Sequence, residues 1–187
     1  TAAIREQTQA SYGDNYIDFI AHSNIRLTIK TYEATDFERV AELVQRTNQL
    51  NFSGKKYKRE EIADLVMMPD IDKYLLVCAD KFGSYGTVGF SMVKHTPSEI
   101  EVKDFMLSCR VQGKFIEKAF FDFLVKRQKH HSVRRFRVNF TQTSRNTPAK
   151  QVLDKLNFVQ ASDSTGLSID QPGQSFSCDF IQTEYQE

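Results

Sequence analysis

A short basic turn is the part of the sequence best suited to bind an anion. It reads Arg110-Val111-Gln112-Gly113-Lys114 and lies between a strand-like segment and a long amphipathic segment. Gly113 allows a tight turn and close approach of the backbone, and such a turn presents several unpaired amides. These amides and the positive end of the following helix dipole suit a diphosphate, and Arg110 and Lys114 add charge. The alternative is an ordinary strand-to-helix turn, since isolated motif matches carry false positives.

A second polar run could form the wall of a substrate pocket. It reads Arg46-Thr47-Asn48-Gln49-Leu50-Asn51 and follows an amphipathic segment. Amide side chains both donate and accept hydrogen bonds, so Asn48, Gln49 and Asn51, with Arg46, are candidate substrate-binding residues. The alternative is helix termination and loop capping, for which Asn is favoured.

Hydrophobic periodicity predicts the elements that must position these residues. Thr35, with Glu38 three residues on, is typical of a capping box at a helix start, and Pro69 ends the second helix. The pattern indicates an α/β (α+β) fold with a mixed, mostly antiparallel sheet flanked by helices. The predicted strands cover 25–30, 74–79, 87–94, 99–108, 133–140, 158–161 and 176–181, and the predicted helices cover 35 to about 48–51, 58–68, 115–127 and 147–156.

The length of 187 residues suits one domain with a substantial core. The opening stretch is polar and is interrupted by Gly13-Asp14. We therefore predict a helical linker segment over residues 1–23 and one compact domain over residues 24–187.

Composition disfavours several functional classes. The formal net charge is +1 and the sequence pI is about 7.7, so a nucleic-acid partner is not expected. The sequence has no apolar run of membrane-spanning length and no signal-peptide pattern, which favours a cytoplasmic protein without a membrane partner. Three cysteines without metal-ligand spacing predict reduced thiols and no metal site.

The order of elements around the basic turn resembles the GNAT (N-acetyltransferase) superfamily. Its acyl-CoA signature, R/Q-x-x-G-x-G/A, is matched here by Arg110, Gly113 and the following helix, while Phe115 stands at the Gly or Ala position. The resemblance implies acetyl-CoA or another acyl-CoA as cofactor. It also implies that Asn146, after the next strand, contacts the cofactor. The implied cofactor-binding residues are Met106, Leu107, Ser108, Arg110, Val111, Gln112, Gly113, Lys114, Phe115 and Asn146.

The same resemblance implies a general base on the strands that flank the cleft. The sequence offers Glu99, Glu101 and Asp104, of which Asp104 is preferred because it is nearest the expected acyl site; the alternative is that all three are solvated carboxylates. The superfamily's helix Tyr, often the acid that protonates the thiolate, aligns with Leu153. The acid is therefore left open between Cys109, Tyr85 and water, and the catalytic candidates are Asp104, Glu101 and Cys109.

Three longer runs are similar to the C-terminal, GNAT-like region of FkbH-like proteins. They are 46–51, 80–89 and 105–111, and the resemblance spans about residues 16–158. FkbH-like proteins are haloacid-dehalogenase-type proteins linked to methoxymalonyl-acyl-carrier-protein biosynthesis. Their phosphotransfer motif, D-x-D-x, has no counterpart in this sequence. What the resemblance implies is an auxiliary domain that binds acyl-CoA or the phosphopantetheine arm of an acyl carrier protein, fused to an N-terminal dehalogenase-type domain.

Two functions therefore compete, and a purely structural interaction domain is a third alternative if neither CoA nor a carrier protein binds. The first is an acyltransferase that moves an acyl group from CoA or a pantetheine thioester to a small-molecule acceptor, by direct attack with positioning and an oxyanion contact. The second is a catalytically inactive module that binds a carrier protein or its pantetheine arm. Arg110, Gly113 and Asn146 favour the first, whereas Phe115 and Leu153 favour the second.

Overall fold

One eight-stranded sheet organises the chain. The computed structural model describes residues 3–4, 6–7, 15–128, 132–161 and 166–187. The helices are α1 (Tyr16–Ala21), α2 (Phe37–Arg46), α3 (Arg59–Val66), α4 (Ile116–Arg127) and α5 (Thr147–Lys155). The strands are β1 (Ile25–Thr31), β2 (Asp72–Asp80), β3 (Gly83–His95), β4 (Glu99–Leu107), β5 (Arg135–Val138), β6 (Val159–Gln160), β7 (Leu167–Asp170) and β8 (Ile181–Gln186).

The strand order is β6-β7-β5-β4-β3-β2-β1-β8. Strands β1 to β4 pair antiparallel in chain order. Helices α2 and α3 connect β1 to β2, and short turns join β2 to β3 and β3 to β4. Helix α4 then carries the chain over to β5, which pairs parallel with β4, and β8 pairs parallel with β1. The result confirms the predicted mixed, mostly antiparallel sheet with flanking helices.

The two faces of the sheet bury different sets of side chains, because successive strand residues point to opposite faces. On one face, Leu76 and Leu107 join the main core, to which α1, α4 and α5 also contribute. On the other face, Leu75 and Met106 pack in a second cluster with residues of α2 and α3. Consequently α2 and α3 lie across the sheet from α4.

Helix α1 belongs to the domain and is not part of a linker. Its Phe19 and Ile20 are completely buried in the main core. The predicted linker boundary at residue 23 therefore does not fit the packing from Tyr16 onward. Residues 1–2, 5 and 8–14 of the predicted linker lie outside the described residues.

The C-terminal strands differ from prediction. The predicted strand over 176–181 is wrong, because these residues form turns and β8 begins only at Ile181. Strand β7 was not predicted, since its four residues carry only two large apolar side chains. The capping box at the start of α2 is made by Glu33 and Asp36 around a short 3₁₀ turn, not by Thr35 and Glu38.

Within the described part of the chain, no helix combines the length and apolar character needed to cross a bilayer.

Candidate functional site

The turn between β4 and α4 keeps several backbone amides free. It starts with a 3₁₀ turn over Cys109–Val111, capped by the Ser108 hydroxyl, which accepts from the Arg110 amide. Among the described residues, no acceptor is found for the amides of Gly113, Phe115 and Ile116. Gly113 has φ +78°, which explains the glycine there. The turn therefore has the unpaired donors that the sequence predicted.

Helix α1 covers part of this turn. The hydroxyl of Tyr16 donates a hydrogen bond to the Gly113 carbonyl at 2.9 Å. A Cβ atom at Gly113 would lie only 3.1 Å from that hydroxyl. The N-terminal helix thus fixes the backbone of the predicted anion-binding turn, a contact that no sequence pattern indicated.

Lys114 does not face the free amides. It is fully buried, and its ammonium donates to Asp80 Oδ2 at 2.7 Å. The Tyr85 hydroxyl donates to the same oxygen at 2.9 Å, and the ammonium also lies 4.9 Å from the centre of the Tyr85 ring. Burial of this charge requires its partner, so the predicted role of Lys114 in adding charge to a diphosphate site does not fit. Tyr85 is likewise engaged with Asp80.

Phe115 points toward the C-terminal segment. Its backbone is left-handed, with φ +61°, at the position where the superfamily signature has Gly or Ala. The ring packs edge-on against Phe180, with ring centres 5.5 Å apart. Val111 is buried in the main core, while Gln112 is exposed. Phe115 therefore occupies a hydrophobic contact beside the turn.

The chain itself fills the gap where β4 and β5 separate. The two strands pair only over Glu99–Val102 and Arg135–Val138. Beyond this point, the segment Leu50–Phe52 lies beside β4: the Phe52 amide donates to the Phe105 carbonyl, and the Leu107 amide donates to the Leu50 carbonyl, both at 3.1 Å. The Thr141 amide closes the other side by donating to the Phe52 carbonyl at 3.2 Å. The backbone edge at Met106 and Leu107, predicted to bind cofactor, is thus occupied.

Asn146 braces this inserted segment. It is completely buried, and its amide nitrogen donates to the carbonyls of Asn51 at 3.0 Å and Thr141 at 2.8 Å. Its side-chain oxygen accepts from the Thr143 amide at 2.7 Å and from Gln142. All of its hydrogen-bonding groups are therefore used within the protein, which differs from the predicted contact with a cofactor. Asn51 is also buried and bonds to its own loop, at the Lys55 carbonyl and the Gly54 amide.

Among the predicted catalytic carboxylates, Asp104 is unusual in its burial and its pKa. It lies on β4 beside a register shift opposite Met92, on the face covered by α2 and α3. It is 4% exposed, and the Tyr57 hydroxyl donates to its Oδ2 at 2.7 Å. Burial raises the pKa of Asp104, while the nearby hydroxyls of Ser53 and Tyr57 oppose the rise. Oδ1 has no fully formed hydrogen bond among the described residues. A buried carboxylate with a raised pKa is suited to accept a proton.

The other predicted catalytic residues lie in different surroundings. Glu101 is on the same face but pairs with Lys103 at 2.9 Å. Glu99 pairs with Arg137 at 3.2 Å. Cys109 is exposed at the start of the turn, where it lines a pocket. Of these candidates, Asp104 alone combines deep burial with a raised pKa.

The pocket at the end of β4 has a volume of about 1000 Å³. Predicted substrate-binding residues Arg46, Asn48 and Gln49 form one wall, and predicted cofactor-binding residues Ser108 and Arg110 form another. The structure thus brings together two runs that are about sixty residues apart in sequence. The remaining lining residues include Arg39, Glu42, Thr47, Tyr85, Gly86, Thr87, Cys109 and Arg145.

Several residues of the site were not predicted. Asp80 and Tyr57 become important only through Lys114 and Asp104, which lie 34 and 47 residues away in sequence. Arg39 and Arg145 appear on an amphipathic helix and in a polar loop, where surface arginines are common. In the sequence, Asp80 stands out only as the polar end of an apolar strand and as the first residue of the 80–89 run.

Several solved structures share this fold, and N-acetyltransferases are among them. A domain from Methanocaldococcus jannaschii DSM 2661 superposes with a TM-score of 0.60 at 14% identity, over 79% of this chain and 99% of that chain. The ribosomal-protein-S18-alanine N-acetyltransferase from Escherichia coli superposes with a TM-score of 0.53 at 14% identity, over 76% and 90%. Spermidine N-acetyltransferase from Vibrio cholerae, in complex with CoA and spermine, gives 0.54 at 13% identity, over 78% and 95%. The likeness at these identities shows that the chain has the GNAT acetyltransferase fold.

No protein-family model matches the sequence, and no curated protein matches it either.

Proposed function

We propose that the chain is an acyltransferase domain that takes an acyl group from acyl-CoA or from a phosphopantetheine thioester. The observation that carries this proposal is Asp104, a buried carboxylate of raised pKa on the strand that leads into the turn with free amides. Ser108 lies four residue steps along the chain from Asp104, which corresponds to about 13 Å in an extended strand. A donor held at the turn could therefore extend toward the carboxylate.

In this mechanism, a lone pair of an acceptor amine, hydroxyl or thiol attacks the thioester carbonyl carbon. Asp104 receives the acceptor's proton, the carbon–sulfur bond breaks, and the departing thiolate takes a proton from Cys109 or from water. Tyr85 is less suited to this last step because its hydroxyl donates to Asp80. Removing a general base in such reactions lowers the rate by about 10²- to 10⁴-fold.

The direct test is calorimetry with acetyl-CoA and CoA, followed by an assay of thiol release from acetyl-CoA with a panel of amine, hydroxyl and phosphorylated acceptors. Asp104→Asn should leave acetyl-CoA affinity within about twofold and lower turnover by about 10²-fold or more. Asp64→Asn, at an exposed position on α3, is the matched control. Absence of heat with either ligand at millimolar concentration would exclude CoA-dependent chemistry, and full turnover by Asp104→Asn would exclude Asp104 as the base.

A second candidate function is an inactive module that binds an acyl carrier protein or its pantetheine arm. It is favoured by the insertion of Leu50–Phe52 beside β4 and by the internal bonding of Asn146. The similarity of residues 46–51, 80–89 and 105–111 to FkbH-like proteins supports a role in methoxymalonyl-acyl-carrier-protein-type biosynthesis, next to a dehalogenase-type domain. Binding of a holo carrier protein without turnover of any acyl donor would favour this candidate over the enzyme.

A further inference from the structure

The pocket at the end of β4 carries an excess of positive charge. Four arginines line it, namely Arg39, Arg46, Arg110 and Arg145, whereas Glu42 is the one acidic residue among its lining residues. The whole chain has a formal charge of only +1, so this concentration of arginine is local. Adjacent cations repel one another, and a pocket that gathers them is stabilised by an anion.

Glu42 neutralises only part of this charge. It forms ion pairs with both Arg39 and Arg46, the latter at 2.8 Å. The guanidinium of Arg39 holds the pKa of Glu42 below its usual range, and Arg46 and Arg110 act in the same direction. Neither Arg110 nor Arg145 has a carboxylate partner among the described residues; the Arg110 Nε donates to the Ser108 hydroxyl at 3.2 Å. Two guanidinium groups at the pocket are thus open to a ligand.

The pocket is distinct from the free amides of the β4–α4 turn. Its arginines Arg39 and Arg46 belong to α2, which packs on the opposite face of the sheet from α4. Gly113 and Ile116 do not line it, and Tyr16 covers Gly113 from the side of α1. Asp104 lies on the same face as α2, beside Met106. Two of the pocket's arginines therefore come from the face of the sheet that also holds Asp104, while Leu50, Tyr85 and Leu107 line the pocket from the main core.

We propose that this pocket binds the phosphate group of a small-molecule acceptor. The assignment of the ligand as an acceptor rests on the proposed acyltransferase function, whereas the phosphate site itself does not. Guanidinium groups match the oxygens of phosphate with paired hydrogen bonds. A phosphate monoester carries nearly two negative charges at neutral pH, which suits the uncompensated arginines better than a single carboxylate. Asn48 and Gln49 offer amides for the remainder of the ligand.

Cys109 is a natural reporter for this pocket. It is the exposed thiol among the three cysteines and lines the pocket next to Arg110. Burial raises the pKa values of Cys78 and Cys178 to about 11, so both react slowly with alkylating reagents near neutral pH. Alkylation of the folded protein, followed by mass spectrometry of the Cys109 peptide, therefore reports on one site.

The experiment compares alkylation of Cys109 by iodoacetamide with and without inorganic phosphate or phenyl phosphate, at constant ionic strength set with sodium chloride. Bound ligand should slow the reaction about tenfold when its concentration is ten times the dissociation constant. The double variant Arg46→Gln/Arg145→Gln should lose this protection, because it removes two of the four guanidinium groups that line the pocket. Both side chains are exposed, so the variant should still fold. Arg26→Gln, an exposed arginine on β1, should retain it.

A second measurement uses the anionic reagent iodoacetate. The ratio of its rate to that of iodoacetamide should fall by about threefold or more in the double variant, because the positive field concentrates anions at the pocket. An unchanged ratio would show that the arginines do not act on ligands there.

Besides an unchanged rate ratio, three results would overturn the proposal. They are no protection by either phosphate, equal protection by sulfate, and a loss of CoA affinity in the double variant as large as the loss of phosphate affinity. The last result would assign the pocket to the phosphates of CoA. If phosphate protects Cys109 but calorimetry detects no CoA, the anion site stands and the acyltransferase function fails.

Discussion

At the scale of single residues, position in the fold decides which polar groups can act on a ligand. Asp104 and Lys114 both come from the region that the sequence singled out, and both are buried. Lys114 has a full ion pair with Asp80, whereas Asp104 has the Tyr57 hydroxyl as a donor and, within the described part of the chain, no paired cation at hydrogen-bonding distance. The first arrangement stabilises the fold, and the second leaves a carboxylate able to take up a proton.

Asp104→Asn should change the pH dependence of stability. The pKa of Asp104 is raised in the folded state, so this group stabilises the fold most below its unfolded pKa of about 3.9, and that contribution is lost as pH rises through the folded pKa. Asn stays neutral and still accepts the hydrogen bond from Tyr57. Urea unfolding between pH 4 and pH 8 should show the variant gaining stability relative to wild type as pH rises. A constant difference across this range would contradict the raised pKa.

Lys114→Met should destabilise the protein by about 3–5 kcal/mol, because it leaves the Asp80 carboxylate buried without its partner. The double variant Lys114→Met/Asp80→Asn should recover part of the loss. Lys81→Met, at an exposed neighbouring position, is the control and should have little effect. Denaturant unfolding measures all three. If Lys114→Met weakens CoA binding without a loss of stability, the ammonium faces ligand after all.

At the scale of elements, two segments that look like connections are part of the site. Helix α1 holds the β4–α4 turn through Tyr16, and Leu50–Phe52 extends the sheet beside β4. The Phe52 and Phe105 rings stack with centres 5.0 Å apart, which anchors the inserted segment in the core. These two segments therefore shape both the β4–α4 turn and the gap between β4 and β5.

Tyr16→Phe should loosen the β4–α4 turn at a cost of about 1 kcal/mol, the contribution of a typical hydrogen bond. Hydrogen exchange of the amides in residues 110–116 should become faster, while exchange in β2 and β3 should not change. Tyr185→Phe removes a hydroxyl contact with Thr31 at the far edge of the sheet and is the matched control. Equal effects of both variants on the turn would show that the Tyr16 contact has no local role.

Asn146→Ala should destabilise the protein by about 2–3 kcal/mol, because the buried carbonyl of Asn51 and the carbonyl of Thr141 each lose a donor. Increased exchange of the Phe52 and Leu107 amides would accompany the loss, since the brace holds the inserted segment. Asn157→Ala, outside this network, is a useful comparison because it tests a loop Asn with a left-handed backbone. A variant of Asn146 that stays stable but loses CoA affinity would restore the predicted cofactor role.

At the scale of the whole molecule, the two faces of the sheet carry different parts of the candidate site. The turn with free amides belongs to the side of α1 and α4, while Asp104 and the pocket arginines Arg39 and Arg46 belong to the side of α2 and α3. The end of β4 joins them, since Leu107 and Ser108 lead from one to the other. This division suits a transfer between two ligands that approach from different sides.

Strand β8 should be required for a monodisperse protein. It pairs with β1 along six residues and covers one edge of the sheet. Removal of residues 181–187 would expose the backbone donors and acceptors of β1, and unpaired edges promote association. Light scattering should show aggregation of the truncated protein but not of the triple change Gln182→Ala/Thr183→Ala/Gln186→Ala, whose exposed side chains leave the backbone pairing intact.

The sequence by itself determined the order of the elements from β1 to β6, the mixed sheet and the turn at Arg110–Gly113, because these depend on local periodicity and on glycine geometry. Tertiary structure alone decided the roles of Lys114, Asn146 and Gly113. Their partners Asp80, Asn51 and Tyr16 lie 34, 95 and 97 residues away in sequence. Whether a polar side chain meets ligand or protein depends on such remote contacts, which local patterns do not contain.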